Sequence, residues 1–258
     1  LLGVLPTRAE AQGHTLIETV STLLALFASI IAMVRFYSKR SNLYLFTAAA
    51  FAGAALLDVG HTVLTSTFVS GMLPSAMQDL TPWSWSASRL FLPIMLCAAY
   101  WAWRREDRFG AAGQVSAGVI IGIASVVIVL TLLAFLLLPL PAAHHPDLPL
   151  FHRPQELVPA ALFLAALVGF FQKGDWTHDD FEHWLMASLV LGVTSEVSMA
   201  MSARVFDRMF EVGHWLKIAT HASILAGLIL SMRNLFRQAE EGAAQVEKLR
   251  RRNALIPD

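Results

Sequence analysis

The chain has 258 residues, of which 56% are hydrophobic and only 15% are charged. An ordinary soluble domain has about 25% charged residues, so this composition excludes a soluble enzyme. Nineteen basic residues balance nineteen acidic ones, and the resulting net charge of zero excludes a basic surface for nucleic acid. The single cysteine, Cys97, excludes a disulfide framework and a multi-thiolate metal site. Any bound metal must therefore take histidine and carboxylate ligands.

Seven apolar stretches are long enough to cross a bilayer, whose hydrocarbon core of about 30 Å requires roughly 20 helical residues. Continuous aliphatic runs such as residues 126–140 are too long for strands. We therefore predict an all-α fold, a seven-transmembrane helical bundle with a cytoplasmic helical extension. The predicted spans are residues 15–35, 43–68, 83–103, 119–140, 157–172, 181–203 and 212–235, of which the fifth is the shortest.

Basic residues indicate the orientation, because Lys and Arg accumulate in cytoplasmic loops. Nine of them flank one set of loops and only four flank the other. We expect a multi-pass membrane protein, in contact with the lipid bilayer, with the N-terminus outside and the C-terminus cytoplasmic. The cytoplasmic set is Arg35, Lys39, Arg40, Arg104, Arg105, Arg108, Lys173, Arg233 and Arg237, and the outer set is Arg8, Arg153, Arg204 and Arg208.

Beyond the seventh span the sequence predicts a continuous helix over residues 232–254 rather than a turn. Phe236, Ala239, Ala243 and Val246 lie near coiled-coil spacing, which favours a homodimer through this helix. The alternative is a juxtamembrane helix whose arginines at 250–252 contact anionic lipid. Because the chain begins with Leu1 and stops after this charged helix, we expect a piece of a longer protein without its output domain.

We divide the chain into three parts. Residues 1–13 form an N-terminal extracytoplasmic segment, either a signal-peptide remnant or a short lid. Residues 14–235 form the seven-helix membrane domain, and residues 236–258 form the cytoplasmic helix. The outer loop at residues 139–154 contains five prolines with His144, His145 and His152, and we favour a solvated loop there over a metal site.

Nine ionisable residues from five predicted helices converge within or directly beside the apolar spans, where a charged side chain costs about 2.5 to 3.5 kcal/mol on insertion scales. The predicted topology places them in the outer half of the membrane, with only His221 near the midplane. Their spacings of three or four residues put each set on one helix face. The nine are His14 and Glu18, Asp58 and His61, Arg89, Glu196, and His214, Lys217 and His221.

These residues favour a binding pocket over a purely structural network. Charge pairs such as Asp58 with Arg89, or Glu196 with Lys217, would fix helix order without any ligand. They would leave Glu18 and four histidines without a structural role. We therefore expect a small ligand or metal ion, with Arg89, Glu196, Lys217 and His221 tuning charge and orientation, and with His14, Glu18, Asp58, His61 and His214 as its direct ligands.

Imidazole and carboxylate ligands suit Zn, Cu, Ni or Fe, whereas paired histidines from different helices would suit haem b. An anionic organic ligand held by Arg89 and Lys217 is a further alternative. The residues do not distinguish among these.

The order of these short motifs resembles the third class of bacterial membrane-associated sensor domains. The motifs are His14-Thr-Leu-Ile-Glu18, Leu57-Asp-Val-Gly-His61-Thr, Ser88-Arg89, Glu196 and Gly213-His-Trp-Leu-Lys217, and the similarity extends over residues 14–237. The resemblance implies a seven-helix sensory input module fused to a histidine kinase or diguanylate cyclase, part of a two-component or related signalling system. It also implies a location in the bacterial inner membrane and no enzymatic activity for this segment, and it does not identify the ligand.

Two other functions compete with a sensor. A proton- or metal-coupled transporter or channel requires a polar path to both membrane faces, whereas the inner halves of the spans are almost free of charge. A zinc-dependent membrane hydrolase requires a metal-bound water beside a catalytic carboxylate, and the chain has no His-Glu-x-x-His motif. Metal content and the optical spectrum of the purified protein would distinguish these functions.

Overall fold

The computed structural model describes residues 8–66, 68–69, 73–143, 148 and 150–253, with side chains described from residue 13 to 246 and at residue 248. This part of the chain is helical and contains no strand. His144 and His145, residues 1–7 and residues 254–258 lie outside the described residues. The seven long helices are α1 (Arg8–Lys39), α2 (Asn42–Leu64), α3 (Met77–Phe109), α4 (Ala117–Leu137), α5 (Leu157–Lys173), α6 (Asp180–Met201) and α7 (Arg208–Asn253).

Each of the seven predicted spans corresponds to one of these helices, so the predicted fold class is confirmed. Six helices are long and apolar enough to cross a membrane, and α5 is the shortest of the seven. The exception is α3, which has sufficient length but contains Arg89, several serines and a charged final stretch at residues 104–108. Arg89 and the serines at 84, 86 and 88 are buried inside the protein, whereas the charged stretch at residues 104–108 is largely exposed at the end of the helix.

Six helices form a closed ring in the order α1, α2, α3, α5, α6, α7. Helices α1 and α7 run in the same direction, because Ser21 contacts His221 and Arg35 contacts Ser231. We call the end where α1 begins the N-terminal end of the bundle, and the opposite end the C-terminal end. The ring interior is filled mainly by alanine, leucine and phenylalanine, which lets the helices approach closely.

Helix α4 packs on the outside of this ring against α2 and α3. Only three of its residues are buried, Ala124, Ile128 and Phe135. The rest of its surface is aliphatic and exposed, as expected of a helix that faces lipid.

Helix α7 continues without interruption for 46 residues, as the sequence predicted. Its first half packs between α6 and α1, whereas its last turns leave the bundle at the C-terminal end. Phe236 and Val246 are 61% and 53% exposed there. One continuous helix therefore runs from the interior of the bundle to a projecting segment with exposed apolar side chains.

Candidate functional site

The ionisable residues predicted to converge do meet at the N-terminal end of the bundle. Eight of the nine are at most 7% exposed, and His14 is half-buried. They come from five helices, and ion pairs join Glu18 to His214 and Lys217, Lys217 to Asp58, and Arg89 to Glu196. We call this set the polar network; it consists of His14, Glu18, Asp58, His61, Arg89, Glu196, His214, Lys217 and His221.

Glu18 of α1 joins the network to α7 through both of its carboxylate oxygens. Its Oε1 lies 2.9 Å from His214 Nε2, and its Oε2 accepts a hydrogen bond of 3.1 Å from Lys217 Nζ. The His14 ring, one turn before Glu18, lies edge-on to the His214 ring with centroids 4.8 Å apart. The ligand atoms of His14, Glu18 and His214 all lie within 4.8 Å of one another.

Lys217 lies between two carboxylates from different helices. Besides contacting Glu18 on α1, its Nζ lies 2.8 Å from Asp58 Oδ2 on α2. The other oxygen of Asp58 accepts a hydrogen bond from Ser88 on α3. This single lysine therefore ties α7 to α1 and α2, and through Asp58 to α3.

Arg89 of α3 pairs with Glu196 of α6, with its NH1 atom 3.2 Å from both carboxylate oxygens. This pairing differs from the structural pairs that the sequence suggested, in which Arg89 joined Asp58 and Lys217 joined Glu196. The difference arises because Arg89 points across the ring to α6, whereas Asp58 faces α7. Charge types in the sequence do not reveal which helices face each other.

The two remaining histidines each have a hydroxyl partner. His61 Nδ1 lies 2.7 Å from Ser84 Oγ of α3, and His221 Nδ1 lies 3.1 Å from Ser21 Oγ of α1. His221 is the deepest member, and its contact with another helix is the one expected of a midplane histidine. Asp58 and His61 therefore lie in the network but outside the three-residue cluster of His14, Glu18 and His214.

Two glycines lie at close contacts between helices, each directly before a histidine of the network. A Cβ on Gly213 would lie 2.6 Å from the Met199 side chain, so a larger residue just before His214 would have to displace Met199 of α6. A Cβ on Gly60 would lie 2.5 Å from Leu132 of α4, directly before His61. Helix α7 therefore packs closely on α6 beside His214, and α2 packs closely on α4 beside His61.

Glu156, which the sequence analysis did not identify, is a further buried carboxylate and is hydrogen-bonded to α3. It is fully buried, and its Oε1 accepts hydrogen bonds from Trp85 Nε1 and Ser86 Oγ, at 2.8 and 2.6 Å. It lies in the short 3₁₀ turn before α5, outside any predicted span. A carboxylate at the edge of a predicted loop is normally solvated, so the hydropathy of the sequence did not indicate that Glu156 is buried.

Arg153 covers the same region from the α4–α5 connection. Its guanidinium lies over the Trp85 ring at 4.9 Å and near the Phe210 ring at 5.9 Å. Burial lowers the pKa of Arg153 to about 10, although the nearby Glu156 acts in the opposite direction. The sequence placed Arg153 in a solvated loop, whereas its side chain is only 2% exposed.

A cavity of about 20 Å³ lies beside the network, lined by Arg89, Glu196, Lys217 and His221 among others. This volume accommodates about one water molecule. An organic ligand or a macrocycle would need a much larger space, so the described conformation suits water or a small ion.

The formal charges of the network do not cancel. Arg89 and Glu196 neutralise each other, and Arg153 offsets Glu156 outside the network. Lys217 faces both Glu18 and Asp58, which leaves one negative charge in excess when the histidines are neutral. An uncompensated charge in an apolar interior is costly. The part of the network formed by Glu18, Asp58 and Lys217 therefore favours a bound cation or proton.

A family model for a membrane-associated sensor domain, MASE3, matches residues 10–232. The matched region contains every residue of the polar network. A comparison with curated protein sequences finds no significant match. The chain therefore belongs to the MASE3 family of membrane-associated sensor domains.

Proposed function

We propose that this sensor domain detects a small cation in the polar network and transmits the event along α7 to a cytoplasmic output domain. The output domain would be a histidine kinase or a diguanylate cyclase. The observation that carries the proposal is that α7 supplies three network residues, His214, Lys217 and His221, and then continues as one helix out of the bundle.

The contacts of α7 make it the element that a cation would move. Its network residues bind α1 through Glu18 and Ser21, and α2 through Asp58. A positive charge at this site would compete with Lys217 for the carboxylates and change how α7 packs on its neighbours. A helix that is rigid along its length passes such a shift to its far end.

The charge of the network supports a cation over an anionic organic ligand. Arg89 and Lys217, the residues that would hold an anion, are already engaged by carboxylates. The excess charge in the network is negative. The small cavity volume likewise supports an ion over haem b or an organic molecule.

The interior beyond His221 supports a sensor over a transporter or channel. Ala28, Phe51, Leu185 and Leu228 pack there in the main apolar core. A transported ion would have to cross this packed region, whereas a sensor needs a ligand site at only one end.

The proposal is tested by measuring whether neutralising the excess charge moves α7. Spin labels would be placed at Tyr37 of α1 and Glu240 of α7, both exposed at the C-terminal end, in a Cys97→Ser chain reconstituted in lipid nanodiscs. We expect Glu18→Gln to shift the distance between the labels by about 1–2 Å or more, because it mimics a bound positive charge.

Two controls separate a signal from local damage. Glu211→Gln removes an exposed carboxylate from the first turn of α7 and should leave the distance unchanged. A second label pair at Tyr37 and Ala112, which does not include α7, should report no change in Glu18→Gln. His214→Gln is measured in parallel as a second perturbation of the network. Unchanged distances to α7 in both folded network variants would refute the proposal.

A further inference from the structure

Three metal-ligating groups meet where α1 and α7 begin. His14 and Glu18 lie one turn apart on α1, and His214 faces them from α7. One ligand atom from each lies within 4.8 Å of the other two. Ligand atoms around a tetrahedral zinc ion are separated by about 3.3 Å, as follows from bond lengths of 2.0 to 2.1 Å. A rotation of the half-buried His14 side chain would close this difference.

The hydrogen bonds of His214 leave one ring nitrogen to bind a cation. Its Nδ1 lies 2.8 Å from the carbonyl oxygen of Phe210, which can only accept, so Nδ1 must carry the proton. In the neutral ring, Nε2 is then a lone-pair acceptor, and it points at Glu18 Oε1 from 2.9 Å. Two acceptors at this distance repel each other unless a cation or a proton lies between them.

A backbone carbonyl that holds the far nitrogen of a histidine is the usual support of a metal ligand, because it fixes both the tautomer and the ring orientation. The aromatic rings around the site provide the apolar shell. Phe210 packs on the His214 ring with centroids 4.2 Å apart, and Phe206 packs edge-on to His14 at 5.7 Å. These contacts restrict both imidazoles to the region around Glu18.

The geometry points to a site for a divalent transition-metal ion of the zinc type, formed by His14, Glu18 and His214. This inference rests on the proposed function and identifies the chemical class of the cation. A proton shared between His214 and Glu18 would satisfy those two residues alone. The presence of His14, which offers a third metal-ligand atom, favours a metal ion. Two imidazoles and one carboxylate form a three-ligand set that leaves a fourth position open for water or an anion.

Such an ion would link α1 directly to α7. Glu18 would be drawn toward the metal through Oε1 while its Oε2 still contacts Lys217. The divalent charge exceeds the excess negative charge of the network, so an anion in the fourth position would restore neutrality. The site thus couples occupancy to the contact between the two helices that the proposed function requires.

Binding is tested with zinc alone on the full chain in nanodiscs, prepared without a polyhistidine tag and stripped with a chelator. We expect one zinc ion per protein by elemental analysis. His14→Ala and His214→Ala should each weaken binding by at least ~100-fold, because even the loss of a supporting partner of a metal ligand costs 10–100-fold. His183→Ala removes an exposed histidine near the start of α6 and should leave binding unchanged.

A spectroscopic variant tests direct ligation at position 14. In His14→Cys, cobalt used in place of zinc should produce a thiolate-to-cobalt absorption band that is absent from the wild-type chain, although both contain Cys97. A wild-type chain that binds no stoichiometric zinc would refute the metal site, as would a folded His14→Cys variant that binds cobalt without this band.

The failure of this inference differs from the failure of the proposed function. If no metal binds but Glu18→Gln still moves α7, the sensor mechanism stands and the cation is of another kind. If zinc binds with unit stoichiometry but the Tyr37 to Glu240 distance is unchanged by zinc, by Glu18→Gln and by His214→Gln, the metal site stands and the α7 relay is refuted.

Discussion

Among the basic residues that the structure describes, Lys217 is the only one in contact with two of the three carboxylates of the polar network. Its Nζ lies 3.1 Å from Glu18 and 2.8 Å from Asp58, and all three side chains are at most 8% exposed. Removing one partner of a buried ion pair costs more than the pair itself contributes, because the remaining charge is left unpaired. Removing Lys217 should therefore destabilise the protein far more than removing one of its two carboxylate partners.

We predict that Lys217→Met lowers the free energy of unfolding by about 3–5 kcal/mol, because it leaves two carboxylates buried without a cation. Asp58→Asn should cost much less, because Lys217 keeps Glu18 and the excess negative charge disappears. Adding Asp58→Asn to Lys217→Met should recover part of the loss. Denaturant unfolding in detergent or nanodiscs measures all three variants. Equal destabilisation by the two single substitutions would contradict this account of the triad.

At the scale of the element, the first turn of α7 depends on Asp207. This residue precedes Arg208, and its Oδ1 accepts a hydrogen bond of 2.8 Å from Phe210 N, as an N-cap does. Its Oδ2 accepts from the backbone N–H groups of Ala203 and Arg204, at 2.7 and 3.0 Å. Burial acts to raise the pKa of Asp207, but these backbone hydrogen bonds outweigh it and lower the pKa.

We predict that Asp207→Ala costs about 1 kcal/mol of stability at neutral pH, as the loss of an N-cap typically does. Because the folded-state pKa lies below the unfolded value, this contribution is present above the unfolded pKa and is lost as pH falls through the folded pKa. The difference from wild type should therefore shrink in acid. Asp207→Asn keeps an acceptor for Phe210 N and should cost less than Asp207→Ala at neutral pH, and its difference from wild type should likewise shrink in acid. A constant difference at all pH values would indicate that the charge plays no part.

Close contact between α5 and α6 depends on Gly192. A Cβ at this position would lie 2.7 Å from the Phe163 ring, so Gly192→Ala must displace a buried aromatic side chain. We predict a loss of about 1–3 kcal/mol. Gly122→Ala on α4 is the matched control, because no heavy atom lies within 4 Å of its added Cβ. The control should be neutral or slightly stabilising in the same unfolding experiment.

At the scale of the whole molecule, the asymmetry of basic residues predicts that the polar network lies near the outer face of the membrane. Cysteines introduced singly at Val205 and Ala112, both exposed and at opposite ends of the bundle, test this orientation in a Cys97→Ser chain. A membrane-impermeant thiol reagent should label Val205→Cys in right-side-out vesicles and Ala112→Cys in inverted ones. The reverse pattern would invert the topology.

The projecting part of α7 leads to a prediction about assembly. Phe236 and Val246 are exposed on the face that the sequence assigned to coiled-coil positions, and we expect this face to contact a second copy of the chain. Oxidative cross-linking of Val246→Cys in membranes should yield a disulfide-linked dimer. Glu241→Cys, on the opposite face of the helix, should not. Equal cross-linking at both positions would argue against a specific helix pair.

The sequence by itself determined the number, order and approximate ends of the helices. A bilayer imposes a minimum length of apolar helix, and that requirement is visible in local composition alone. The second span shows how accurate the predicted ends are: the prediction placed the end of this span at residue 68, whereas α2 ends at Leu64. Three- and four-residue spacings likewise placed Asp58 with His61, and His214 with Lys217, on shared helix faces. The gathering of these residues in one layer followed from topology.

Only the tertiary structure decided which of these residues pair. Arg89 binds Glu196, and Lys217 binds Glu18 and Asp58, because ion pairs depend on which helices are neighbours and how each is rotated. The burial of Glu156 and of Arg153 was equally invisible, since both lie at a loop boundary where charged residues are normally solvated. Spacing along one helix is a local property, whereas contact between helices depends on the packing of the whole bundle.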